Sequence, residues 1–151
     1  MNENYFMDLA IKIAKKGALL NEIPVGAVLV HGIKNKVLSV HHNEVYNKKN
    51  PLKHAELLVI NEACELNQSR YLDHATIYVT LEPCAMCAAA ISEARIKKLY
   101  FGAYDQRNGA IENGIRYFSN SYLKTEIYGG IKEKECSLMI NNFFSKIRGA
   151  N

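Results

Sequence analysis

Whatever fold this chain adopts has to bring two short stretches together: His54-Ala55-Glu56 and, about 30 residues on, Pro83-Cys84-Ala85-Met86-Cys87. The first offers an imidazole and a carboxylate two positions apart. The second offers two thiols three positions apart, behind a proline. Each is a modest signal by itself. A lone Cys-x-x-Cys is also a redox pair or two small buried hydrophobes, and a lone histidine is most often satisfied in a core. Read as one unit, they supply three metal ligands and one acid–base group, and that combination points to an enzyme.

The segments around these stretches alternate between helical and strand periodicity. Apolar residues recur at helical spacing from Tyr5 to Leu20 (Phe6, Leu9, Ala10, Ile13, Gly17), and Asn21-Glu22-Ile23-Pro24 ends that helix. Val25 to His31 and Lys36 to His42, joined by a turn-rich Gly32 to Asn35, read as an antiparallel hairpin. The polar, lysine-bearing stretch Asn43 to Pro51 leads to a helix expected near Pro51 or Leu52, capped by Asn50, with Leu58, Val59, Ala63 and Leu66 buried. Ala75 to Leu81 is a strand, and Glu82-Pro83 turns it into a helix from about Cys84 to Ile91.

Ile96 to Phe101 and Thr125 to Tyr128 are further strands, and the stretch from Gly109 to Ser121 shows no regular period. After Gly129-Gly130 a final helix carries the stripe Cys136, Met139, Ile140, Phe143 and Ile147. Strands alternating with helices imply an α/β chain with a central sheet covered on both faces, and the opening hairpin makes that sheet mixed. Both chemical stretches fall at helix starts, where sites form in such sheets.

With 151 residues, 48% of them hydrophobic, and no linker or repeat, the chain is expected to fold as one domain over residues 1–151. The net charge of +4 tilts toward an anionic partner without requiring one, and pairs such as Lys15-Lys16, Lys48-Lys49 and Lys97-Lys98 read equally as solvated faces. No apolar run approaches the length of a membrane span, and Met1-Asn2-Glu3-Asn4 is not a secretory leader. The cysteines at 64, 84, 87 and 136 do not form a disulfide framework, which favours a reducing cytoplasm. Cys64 and Cys136 read as core residues.

Two thiolates and an imidazole suit zinc better than magnesium or calcium. Three protein ligands leave a fourth position for water, the mark of catalytic rather than structural zinc. Zinc can lower the pKa of water from 15.7 to about 7, which corresponds to about 12 kcal/mol. General acid–base help is worth about 3–5 kcal/mol. His54, Cys84 and Cys87 are therefore the expected ligands of one Zn2+ per subunit, and Glu56 the proton carrier. No organic cofactor is called for.

At these residues the chain resembles the zinc-dependent nucleoside and nucleobase deaminases, whose signature joins His-x-Glu to Pro-Cys-x-x-Cys. More narrowly it resembles the bacterial tRNA adenosine deaminases. That likeness runs from about Glu22 to Arg148, strongest in Glu22-Ile23-Pro24-Val25-Gly26-Ala27-Val28, in Tyr78 to Cys87, and in Phe101-Gly102-Ala103-Tyr104-Asp105 with Gly109-Ala110.

The resemblance implies a three-layer α/β/α cytidine deaminase-like fold with a mixed five-stranded sheet. It also implies a homodimer that binds a tRNA anticodon stem-loop. The implied reaction is hydrolytic deamination of the wobble adenosine (position 34) to inosine, releasing ammonia. By the same resemblance Asn43 contacts the flipped nucleotide, Val25 and Leu81 line the base pocket, Asp105 and Arg107 lie near neighbouring nucleotides, and Phe144 and Arg148 help hold the RNA loop. Taken alone, Asn43 reads as a turn residue after a strand, Asp105 as a turn or cap, and Phe144 as core. The alternatives are a deaminase of a free base or nucleoside (guanine, cytosine or cytidine), and a non-catalytic zinc or RNA-binding module. Glu56 speaks against the module, since structural zinc needs no such carboxylate.

Overall fold

The computed structural model describes residues 2–120 and 122–149, so Met1, Ser121, Ala150 and Asn151 lie outside the described residues. The elements run α1 (Glu3–Leu19), β1 (Gly26–His31), β2 (Lys36–His42), α2 (Ala55–Asn67), β3 (Ala75–Leu81), α3 (Ala85–Glu93), β4 (Lys98–Ala103), a short 3-10 turn (Tyr117–Ser119), β5 (Glu126–Tyr128) and α4 (Glu133–Gly149). The strands form one five-stranded sheet in the order β2-β1-β3-β4-β5. β1 is antiparallel to β2 and β3, whereas β3, β4 and β5 are parallel, so the sheet is mixed as expected.

Period-two alternation assigns the faces of the sheet. Leu29, Ile77, Val79, Leu99 and Phe101 point to the side covered by α2 and α3, where they pack with Val59, Ala63 and Ile91. Val28, Val30 and Tyr78 point to the other side, against Phe6, Met7, Ala10 and Ile11 of α1 and Cys136 of α4. β3 is covered on both faces, which explains its unbroken Ala-Thr-Ile-Tyr-Val-Thr run. The in-register residues Tyr78, Tyr100 and Tyr128 stack across the parallel strands at 4.9 and 4.7 Å, and this ladder favours one pairing register. α4 docks where β4 has no side chain: a Cβ on Gly102 would lie 2.4 Å from Cys136 Sγ. Among the described residues no helix is long and apolar enough to cross a membrane.

Four sequence expectations shift. α2 starts at Ala55 rather than near Pro51, and Asn50 Oδ1 instead accepts the Leu52 amide in a separate turn. Its buried stripe is Ala55, Glu56, Val59, Ile60 and Ala63, leaving Leu66 69% exposed. That stripe keeps helical spacing but is rotated, because Glu56 faces inward. β4 begins two residues later than Ile96 and runs to Ala103, carrying the parallel pairing up to Leu81↔Ala103. On α4 only Cys136 is fully buried, and Ile147 at the far end is 47% exposed.

Candidate active site

Both metal-binding stretches sit where a helix begins, and in both the first ligand occupies the N-cap. His54 caps α2 and Cys84 caps α3, each with extended backbone and no side-chain capping bond. An N-cap side chain ordinarily bonds the first turn's free amides. Here both side chains turn instead toward each other and Cys87. His54 is released from capping by Asn43, whose Oδ1 accepts the Ala55 amide at 2.8 Å. A backbone N–H can be accepted only by the amide oxygen, so Asn43 keeps Nδ2 as its free donor.

The donor set fits zinc. His54 Nδ1 lies 3.7 Å from Cys84 Sγ and 3.5 Å from Cys87 Sγ, and the three ligand atoms lie within 4.8 Å of one another. Zinc bonds of about 2.3 Å to sulfur and 2.0–2.1 Å to nitrogen, at a tetrahedral angle, separate S and N by about 3.6 Å. The electrostatics agree. A hydrogen bond from Cys87, reinforced by His54, pulls the Cys84 thiol down to about 4. Cys87, donating that bond from a buried position, is pushed far up. Two neighbouring thiolates repel without a cation between them, so only a divalent metal lets both ionise.

Glu56, in the first turn of α2, is 4% exposed. Burial raises its carboxyl to about 7, and its Oε1 has no hydrogen-bond partner in the structure. A buried carboxylate oxygen left unsatisfied costs free energy, which the fold tolerates where the atom has work to do.

Val25, Asn43, His54, Glu56, Leu81, Cys84 and Asp105 all line one cavity of about 550 Å3, with Glu22, Tyr46, Glu82 and Asn108. Cys87 is fully buried beneath it. Arg107 and Phe144 lie instead in an adjoining hollow of about 610 Å3, which shares Ile23, Leu81, Asp105 and Asn108 with the first. Asp105 combines the wall position with the plain turn reading: its Oδ1 accepts the amides of Arg107 and Asn108 at 3.1 and 3.0 Å. Arg148 lines neither hollow and is exposed on α4, its guanidinium 3.5 Å from Ser145 Oγ.

Two site residues carried no assigned role in sequence, although both fall within the resembling segments. Glu22 and Glu82 are buried carboxylates that both line the cavity. Glu22 accepts Tyr46 N, Asn47 N and Asn47 Nδ2 at 3.1, 2.7 and 2.6 Å, holding the loop that follows Asn43. Glu82 accepts the amides of Asp105, Ile111, Glu112 and Asn113 together with Asn113 Nδ2. Burial alone would raise both carboxyls, but these donors hold them below the ordinary carboxylate value. The available signal was a glutamate placed beside apolar residues at an element boundary.

Residues 1–103 match the model of the cytidine and deoxycytidylate deaminase zinc-binding region. The chain belongs to this deaminase family. It is 46% identical over 144 residues to the tRNA-specific adenosine deaminase of Rickettsia felis, covering 94% of this chain and 100% of that one. A solved structure from work on A-to-I editing by tRNA:A34 deaminases at the wobble position superposes with a TM-score of 0.84. It is 42% identical and the match covers 89% of this chain and 98% of that one. A guanine deaminase from Nitrosomonas europaea superposes with a TM-score of 0.85 at 12% identity, covering 94% and 84%, and shares the fold alone. The five-stranded mixed sheet with helices on both faces is the cytidine deaminase-like fold expected from the sequence.

Proposed function

We propose that this protein is a tRNA-specific adenosine deaminase that converts the wobble adenosine of an anticodon loop to inosine by hydrolysis, releasing ammonia. The observation that carries the chemistry is Glu56 Oε1, buried and unpartnered beside the His54, Cys84 and Cys87 group. The substrate class rests on the tRNA adenosine deaminase relatives, which match over nearly the whole chain.

His54 Nδ1 and the sulfurs of Cys84 and Cys87 would hold the metal. Zinc held there supplies the Lewis acidity that makes water a competent nucleophile near neutral pH. Glu56 does the proton work. Its Oε1 takes a proton from the attacking water and delivers it to N1 of the adenine ring, and a second transfer protonates the departing amino group. Water adds at C6 as N1 takes its first proton, and the C6–amine bond then breaks as the remaining hydroxyl proton is carried to nitrogen and the C6 carbonyl forms, so adenosine and water become inosine and ammonia. Asn43 Nδ2 donates to the bound nucleotide in this reading, and Val25 and Leu81 give the base apolar walls, which the lining of the cavity by all three residues supports. An anticodon-loop base can be splayed into such a cavity at little unstacking cost, whereas a base inside a duplex cannot.

The adjoining hollow with Arg107 and Phe144 would take the nucleotides flanking the adenosine, with Arg148 farther along the loop. The chain acts as one domain over residues 1–151, as a homodimer in the cytoplasm where tRNA is available. Incubation of the zinc-loaded protein with an anticodon stem-loop bearing a wobble adenosine, followed by digestion to nucleosides, is expected to yield inosine. Turnover of free guanine, cytosine or cytidine without inosine formation from the stem-loop would replace this reading with the free-base one.

A further inference from the structure

Glu82 stands at the junction of the two halves of the site. It directly follows β3 and lies two residues before Cys84 in the metal-binding segment, and its own amide is tied to Ala103 O at the end of β4 at 2.8 Å. Its side chain reaches the other way. Oε1 accepts Asp105 N at 3.0 Å and Asn113 Nδ2 at 2.7 Å, and Oε2 accepts the amides of Ile111, Glu112 and Asn113 at 3.0, 2.8 and 3.0 Å. The carboxylate is 2% exposed, and the chain passes so close that a Cβ on Gly109 would lie 2.5 Å from Glu82 Cδ.

We propose that Glu82 is a positioning residue: its carboxylate fastens the 105–113 loop to the segment that carries Cys84 and thereby sets the cavity's outer wall against the reacting base. This rests on the deaminase reading above. Asp105 and Asn108 on this loop line both the catalytic cavity and the adjoining hollow, so the place of the loop decides how a substrate spans the two. The loop has other anchors that do not depend on Glu82. Ala110 N bonds Pro83 O, Tyr117 N bonds Ala110 O, and Ile111 is buried against the core. Those contacts hold the far end of the loop. Among the described residues only Glu82 links the Asp105 end to the 111–113 end through a single rigid group, so its loss shifts the wall without dismantling the fold.

A Glu82→Gln substitution keeps the size and one acceptor oxygen. Its amide nitrogen, however, meets backbone N–H donors on whichever side it occupies: one (Asp105) at the Oε1 position, where the Asn113 amide can flip to accept, and three at the Oε2 position, so at least one hydrogen bond becomes a donor–donor clash. Asn113→Ala is milder, removing one side-chain donor and leaving the four backbone ones. The full-length, zinc-loaded variants are compared on the wobble-adenosine stem-loop, with zinc content and amide hydrogen exchange measured without RNA. E82Q is expected to raise KM at least about tenfold with kcat within about threefold, and N113A to raise KM about threefold. Both should keep one zinc per chain, and the amides of residues 111–113 should exchange faster while those of α3 do not. An unchanged KM in both variants, a fall in kcat at constant KM, or loss of zinc from E82Q would overturn the proposal. If E82Q does not fold, N113A decides by its KM. If the wild type forms no inosine, the tRNA reading fails by itself. Exchange at 111–113 then still decides the clamp, and unchanged exchange overturns it.

Discussion

The floor and the outer wall of the cavity each contribute a buried glutamate, and the two are partnered in opposite ways. Glu56 on the floor has an oxygen with no partner, and burial raises its carboxyl to about 7. Glu82 in the wall is as buried but accepts hydrogen bonds at both oxygens, and those donors hold its carboxyl below the ordinary value. Burial is the same and the consequence reverses. A buried carboxylate with an unpartnered oxygen is poised to exchange protons, whereas a saturated one is fixed in its charged form and acts as a staple. Glu22, which also lines the cavity, repeats the second pattern by holding Tyr46 and Asn47.

The largest effect expected from breaking this contrast is at the floor. Glu56→Ala should retain zinc and RNA binding while turnover falls about 10²–10⁴-fold, the usual size of a general acid–base contribution. Metal analysis, a filter-binding titration and single-turnover rates check it together. A variant that kept turnover would remove Glu56 from the proton path.

At the wall, Gly109→Ala sharpens the contrast without touching a charge. The new Cβ would lie 2.4 Å from Asp105 O and 2.5 Å from Glu82 Cδ, so the loop or the carboxylate has to move. Denaturant unfolding should show a loss of about 2 kcal/mol, the ordinary cost of overpacking a tight contact. KM should rise in the same direction as for E82Q, and a silent G109A would mean that the wall tolerates displacement.

The smallest effect is expected from Glu22→Gln, and it depends on pH. Glu22 has a folded-state value lowered from about 4.5, so its contribution is complete above that pH and disappears as pH falls through the lower folded value. The wild type should therefore exceed E22Q by about 1 kcal/mol at neutral pH, the scale of one ordinary net hydrogen bond, since Gln keeps an acceptor oxygen. The difference should shrink as the solution is acidified below about pH 4.5. Unfolding midpoints measured from neutral to acidic pH decide this, and a constant difference would show that Glu22 does not act as a carboxylate.

The floor was legible in the sequence because its chemistry resides in side-chain type and spacing. His54, Cys84 and Cys87 announce a metal site wherever the chain puts them, and Glu56, two positions from His54, travels with it. The strands were legible too, since β1 and β3 carry apolar runs bounded by turn residues. The wall was not, because the partners of Glu82 are mostly backbone amides 23 to 31 residues away, and an amide has no signature in sequence. The start of α2 was misplaced for a related reason. Asn50-Pro51 is a sound local start signal, but the amide at the true start is capped by Asn43, which is 12 residues upstream. A cap delivered by the tertiary fold overrides the local one. Asp105 shows the two kinds of information meeting: the turn it caps was readable from residue type, and its place in the cavity wall was not.

The most direct test of hydrolytic deamination at this site is to run the stem-loop reaction in water enriched in heavy oxygen and weigh the inosine released by digestion. Attack of water at C6 under the control of Glu56 predicts inosine carrying one heavy oxygen, formed by the zinc-loaded wild type and strongly diminished in E56A. Inosine without the label, or labelled product at equal rates from both proteins, would contradict it.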